Sequence, residues 1–186
     1  MAASEFNIAI VLPPATPGGA ERQSKHRCAI FPFEDLGLAE VPEWPGVYFL
    51  CRQLDDRSFE GGQTCSRYHI LFVGIASSGF AVRFRRPMEQ LRLFNQLGGT
   101  HVFMVECDSG DADTAALANV ANLRPLMNTD SWKKAMPGMN CIICWHTPTG
   151  RSKLHSLIPG NPFHLAEVSE MNEAAAKFIN KTVTSF

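Results

Sequence analysis

The sequence predicts an α+β fold: a small mixed or antiparallel sheet with flanking helices and a C-terminal helical extension. Three observations carry this. Gly46-Val-Tyr-Phe-Leu-Cys51 and Tyr68-His-Ile-Leu-Phe-Val-Gly74 are β-branched and aromatic runs on either side of a turn-rich stretch, the pattern of two paired strands. Phe80, Phe84, Met88, Leu91 and Phe94 then recur at spacings of four, four, three and three, which marks one face of a helix. Another strand and another helix follow. The order hairpin, helix, strand, helix suits a small sheet with helices packed on it.

The elements are read in chain order. Residues 1 to about 30 form a flexible arm with a strand-like stub, because Pro13, Pro14, Pro17, Gly18 and Gly19 interrupt any regular element. Phe31-Pro32-Phe33 and the segment from Val41 to Pro45 are extended, since a residue before proline avoids the helical region. Residues 55–63, with Asp55, Asp56, Gly61 and Gly62, read as the hairpin connection. Pro87 lies inside the helical pattern and kinks or restarts it, and Gly98-Gly99 ends it. Residues 100–107 are a further strand, and Asp108 to Asp113 is an acidic turn that caps a helix over 114–123, stopped by Pro125. Residues 141–146 form a later strand. A last amphipathic helix opens at Asn161-Pro162, with Leu165, Val168, Met171, Ala175, Phe178 and Ile179 on one face. The domain reading is an arm over 1–30, a core over 31–128, and an extension over 129–186 packed on the core.

Composition narrows the classes of function. Seventeen Lys plus Arg against eighteen Asp plus Glu excludes a globally basic nucleic-acid coat or a polybasic membrane anchor, but not a local basic patch. No segment has the roughly 18 to 20 apolar residues of a membrane span, and the N-terminus lacks a positive region before its short apolar run. A cytoplasmic protein with reduced thiols at Cys28, Cys51, Cys65, Cys107, Cys141 and Cys144 is expected.

Several constellations bear on chemistry. Gly74 to Gly79 has the spacing that begins a phosphate-binding loop, with helix N–H groups available to an anion, yet Phe80-Ala81 stands where lysine and serine or threonine are required. Arg83, Arg85, Arg86 and Arg92 against Glu89 give residues 79–98 a charge of +3. Arginine suits bidentate phosphate contact, although a solvated helix face explains the same pattern. Cys141, Cys144 and His146 have a zinc-like spacing, but Ile142, Ile143 and Trp145 favour a strand, on which residues three apart face opposite sides. Buried structural thiols are the simpler reading, and no metal ligands are assigned. Glu106, Asp108, Asp111 and Asp113 could hold a divalent cation, or act as a solvated turn and helix caps.

Gly46-Val47-Tyr48, then Phe72-Val73-Gly74, then Arg83, and finally Pro125-Leu-Met-Asn128 occur in an order that resembles the GIY-YIG nuclease family, over about residues 46–128. The resemblance implies two triplets on adjacent hairpin strands and an arginine in the following helix. It also implies roles: Tyr48 as base or water orienter, Arg83 as charge stabiliser with Arg85 as the alternative, Gly74 as a close backbone approach, and Asn128 as a brace. Gly74, Arg85, Arg86 and Arg92 would contact nucleic acid. Mg²⁺ or Mn²⁺ would serve if the protein is active, because a phosphodiester transition state gathers negative charge. Two positions depart from the pattern. Phe72 replaces the second tyrosine, and the metal-binding glutamate position, nine before Pro125, is Ala116. The leading expectation is therefore a GIY-YIG-like domain that has lost metal-dependent cleavage and binds DNA or a protein partner. The alternatives are a single-metal endonuclease recruiting a carboxylate from Glu106 to Asp113, and a structural scaffold, with a homo-oligomer possible in each case.

Overall fold

A computed structural model of the chain describes residues 4–11, 23–37, 41–128, 141–146, 152–156, 173–175 and 177. Among these residues seven strands form one sheet: β1 (Ser4–Val11), β2 (Gln23–Pro32), β3 (Gly46–Phe59), β4 (Gln63–Ala76), β5 (His101–Glu106), β6 (Cys141–His146) and β7 (Ser152–Ser156). Their order is β1-β2-β5-β3-β4-β6-β7, and every pairing is antiparallel. Among the described residues, helices α1 (Phe80–Arg85), α2 (Leu91–Gln96) and α3 (Ser109–Leu123) lie in the connections. The α+β class is as predicted. Where the sequence suggested an arm over residues 1–30, residues 4–11 and 23–32 pair as a hairpin, and Cys28 to Pro32 continue the sheet against β5. The prolines and glycines between Pro13 and Gly19 fall between those strands and do not interrupt either.

The β3–β4 hairpin is longer than expected, fourteen residues in each strand. Residues 55–59 belong to the ladder, and the turn is confined to Glu60, Gly61 and Gly62. Both glycines have left-handed backbone angles, φ 81° and φ 75°, a conformation that residues with a side chain rarely adopt. The polar stretch that suggested a loop is held by pairing: Asp55 faces Arg67 across the ladder. Arg67 Nε donates to Asp55 Oδ1 at 2.6 Å, and a second guanidinium nitrogen donates to the other carboxylate oxygen. That is the fork geometry in which arginine is strongest. A bulge beside Leu50 leaves Leu71 without a cross-strand partner and turns both Leu71 and Phe72 toward the same cluster.

The two faces of the sheet bury different clusters. On one, Val47, Phe49, Ile70, Val73, Phe103 and Val105 pack beneath α3, whose Ala112, Ala115 and Ala116 let the helix approach closely. On the other, Tyr48, Leu50, Leu71, Val102 and Met104 pack beneath Phe80 of α1 and Phe94 of α2. The connection between these two helices follows from Pro87: Arg86 before it is extended (φ −88°, ψ 146°), as a residue preceding proline must be. The helical pattern expected to kink or restart at Pro87 is thus two short helices, the second beginning at Leu91. Farther along the sheet, Cys141, Ile143 and Trp145 of β6 pack with Ala175. Residues 173–175 and 177 are helical; the remainder of the helix predicted from Asn161 lies outside the described residues. No described helix is long and apolar enough to cross a membrane.

All six cysteines are free and buried. Burial is the largest cause of their raised thiol pKa values, which reach about 11 for Cys107 and Cys141 and about 12 for Cys65. In the unfolded chain these thiols ionise near pH 8.5. Between that pH and about 11 the folded state binds more protons than the unfolded one, so stability is intact below about pH 8.5 and falls as pH rises. Each such thiol contributes a loss of about 1.4 kcal/mol per pH unit in that interval. Chemical denaturation at pH 8 and pH 10 should show this decline, and a thiol reagent should label the native protein slowly and the unfolded protein fully. Rapid native labelling would contradict the burial.

Candidate functional site

The two triplets meet across one ladder. Gly46, Val47 and Tyr48 pair with Ala76, Ile75 and Gly74, so the tyrosine lies opposite the glycine. Its ring fills the space that Gly74 leaves open, since a Cβ at Gly74 would stand 2.2 Å from Tyr48 Cζ and 2.7 Å from a Phe72 ring carbon. Phe72 and Phe84 close over the ring, with centroids 6.0 and 5.1 Å from that of Tyr48, the second edge-on as aromatic quadrupoles prefer. Only 1% of Tyr48 remains exposed. Phe72 therefore contributes packing where a second hydroxyl was the alternative.

Helix α1 delivers Arg83 to this ring. Its Nε donates to the Tyr48 hydroxyl at 3.2 Å, and its guanidinium carbon lies 5.8 Å from the ring centroid, within range of a cation–π attraction. Burial raises the Tyr48 phenol pKa, and the hydrogen bond and charge of Arg83 oppose that rise. The phenol is accordingly neutral at physiological pH. In this arrangement it orients a guanidinium more readily than it takes up a proton as a base.

The start of α1 does not offer its backbone to an anion. Gly79 (φ 96°) opens the helix, and a Cβ there would lie 2.3 Å from the Glu43 carbonyl oxygen. The N–H groups of Phe80 and Ala81 donate to the carbonyls of Trp44 and Pro42 at 3.0 and 2.9 Å, and that of Gly79 donates to Ala76 at 3.0 Å. Gly74 to Gly79 is the tight strand-to-helix turn that the missing lysine favoured over a phosphate loop, and the segment from Pro42 to Trp44 takes the donors such a loop would need.

Asn128 reaches the same hairpin from the far end of α3. Arg124, in the left-handed region at φ 44°, ends that helix, its N–H donating to Val120. Three further bonds attach the chain to the edge of β4. The N–H of Met127 donates to the Leu71 carbonyl at 2.9 Å. The Asn128 side chain accepts from the Val73 N–H at 2.7 Å and donates to the Val73 carbonyl at 2.8 Å. β6 pairs with β4 only from Thr64 to His69, so one amide side chain supplies the contacts a neighbouring strand would otherwise make.

The remaining candidate residues are dispersed. Arg83 and Arg86 line a cleft of about 240 Å³ with Ser77, Ser78, Gly79 and Val82. Arg85 instead lines a separate cleft of about 740 Å³ with Leu36, Val41, Glu43 and Phe84. Arg92 is exposed on α2 and lines neither. Ala116 packs in the cluster on the opposite face from Tyr48, and exposed Asp108, Asp111 and Asp113 lie in or just before the same helix. A carboxylate on α3 therefore has the sheet between it and the Tyr48–Arg83 pair. Cys141 and Cys144 belong to clusters on opposite faces, as their strand spacing predicted. Among the described residues no group of three or more His, Cys, Asp or Glu side chains is placed to hold a metal.

Sequence reasoning missed Ser77 and Ser78 as lining residues, and Phe84 as the lid on Tyr48. The serines lay in the segment singled out for its backbone, and Phe84 was read only as helix core. No family model, no curated protein and no solved structure matches this chain.

Proposed function

We propose that the chain is a GIY-YIG-like domain that no longer performs metal-dependent phosphodiester cleavage and binds nucleic acid through its arginine-bearing face. The observation that carries this reading is the placement of Tyr48, Gly74, Arg83 and Asn128 around one end of the β3–β4 hairpin, combined with an alanine at position 116 on the far side of the sheet. The first half keeps Arg83, oriented by Tyr48, as a guanidinium suited to a phosphate. The second removes the group that would fix an ion beside it, and with the ion the water activation that cleavage requires.

Supercoiled and branched DNA should stay intact in Mg²⁺ or Mn²⁺, while binding to labelled DNA weakens linearly with the logarithm of salt concentration. Replacing Arg85 or Arg92 with alanine should reduce that salt slope by about one if the residue contacts a phosphate. Metal-dependent nicking that Arg83→Ala abolishes would replace this reading with that of a working nuclease. An absence of DNA binding at low salt would favour a protein scaffold.

A further inference from the structure

We infer that the cleft between residues 41–43 and α1 is a docking site for an extended segment of a partner protein, one that carries an apolar side chain between a basic and an acidic one. This cleft is distinct from the one lined by Ser77 and Ser78, and its use by a protein is independent of the nucleic-acid reading above. Much of its lining is apolar: Leu36, Val41 and Phe84 are half-buried and Ala81 is buried. Exposed Glu43 and Arg85 bring two opposite charges to the same cleft. Among the described residues neither of these side chains forms an ion pair or a hydrogen bond. A carboxylate and a guanidinium that leave each other unpaired are available to the complementary charges of a ligand.

Backbone groups add a second kind of contact. Val41 precedes Pro42 and Trp44 precedes Pro45, so both are held extended. The carbonyls of Pro42 and Trp44 accept from Ala81 and Phe80 at 2.9 and 3.0 Å, which fixes this segment on α1. The N–H groups of Val41 and Glu43 donate to no partner among the described residues. An extended peptide laid beside them gains main-chain hydrogen bonds, while the apolar lining and the two charges select its alternate side chains. The walls are set before it arrives. Phe84 stands edge-on to Tyr48 at 5.1 Å, and the turn bearing Leu36 is tied to the sheet by the Phe33 N–H, which donates to the Thr100 carbonyl at 2.7 Å. A pre-formed site spends less of its binding energy on ordering. Glu43 also decides between classes of macromolecule, because its carboxylate repels a phosphate chain and attracts a lysine or arginine.

The test uses the full chain and capped pentapeptides of defined sequence. Lys-Ser-Leu-Ser-Glu and Glu-Ser-Leu-Ser-Lys each place their three larger side chains on one face of an extended chain, and together they offer the two charges in both chain directions. One of them should shift the amide NMR signals of Gly37, Val41 and Glu43 saturably at millimolar concentration. Replacing its leucine with serine should weaken binding about tenfold, the loss expected for a partly buried apolar side chain. Glu43→Lys changes an exposed side chain; it should weaken binding of the same peptide, and exchanging the peptide's lysine for glutamate should restore it. No saturable shift with either peptide, or a response that Glu43→Lys leaves unchanged, overturns the inference. An oligonucleotide that displaces the peptide overturns it too, because the cleft then belongs to nucleic acid.

Discussion

Replacing Gly74 with alanine is expected to destabilise the fold by about 3 kcal/mol or more, at the upper end of what overpacking costs. The added methyl carbon would stand 2.2 Å from Tyr48 Cζ and 2.4 Å from its hydroxyl oxygen. Tyr48 cannot give way cheaply. It is 1% exposed, packed against Phe72 and Phe84, and bonded through its hydroxyl to Arg83. Displacing the ring would therefore also release the guanidinium that lines the cleft beside α1. Urea denaturation measures the loss. A double-mutant cycle with Tyr48→Ala identifies its cause, because removing the ring removes the clash and makes the pair of substitutions less costly than their sum. A Gly74→Ala protein within 1 kcal/mol of the wild type, or strictly additive effects, would show that the two positions do not contact each other in this way.

Asn128→Ala should cost about 3 kcal/mol, because it leaves both the N–H and the carbonyl of Val73 without the side-chain partner that serves them. Asn128→Asp gives a sharper readout. An ionised carboxylate can still accept from the Val73 N–H but repels the Val73 carbonyl, whereas a protonated one can accept from the first and donate to the second. Relative to the wild type at each pH, the aspartate variant should be strongly destabilised at neutral pH and partly recover on acidification. A carboxyl that gains a bond on protonation has a raised folded pKa, so its contribution to stability is lost as pH rises. Equal destabilisation of the alanine and aspartate variants at every pH would mean that the amide bridges no backbone groups. Hydrogen exchange at the Val73 amide gives an independent check, with protection expected to fall in Asn128→Ala.

Much of the fold was legible because hydrophobic period and breakers agree locally. The runs ending at Cys51 and Gly74 form strands, the spacing through Phe94 gives helices, and Pro87 divides them. What escaped was settled between distant residues. Asp55 reads as a turn residue until Arg67 stands opposite it, and the N-terminal segment reads as an arm until β5 provides an edge for β2. The candidate site divides along the same line. Side-chain types and their order mark Tyr48, Gly74, Arg83 and Asn128, but nothing local places Ala116 on the opposite face or assigns Arg83 and Arg86 to one cleft and Arg85 to another. The same holds for the donors of α1: Gly79 marks a helix start in the sequence, and the tertiary path from Pro42 to Trp44 takes the N–H groups of Phe80 and Ala81.

The long hairpin has one more consequence. β5 covers β3 from Gly46 to Cys51, while beyond that point the described partner of β3 is β4 alone. At the start of that stretch the Gln53 N–H donates to the Thr100 hydroxyl at 2.8 Å, and a strand edge of this kind is where a strand from another molecule can add. Arg52, Asp56 and Arg57 are exposed along it, and a break in register at Leu54 bends it. Charge and curvature make the edge a poor template. The same ribbon that aligns Tyr48 with Gly74 at one end is shielded at the other against uncontrolled growth of the sheet.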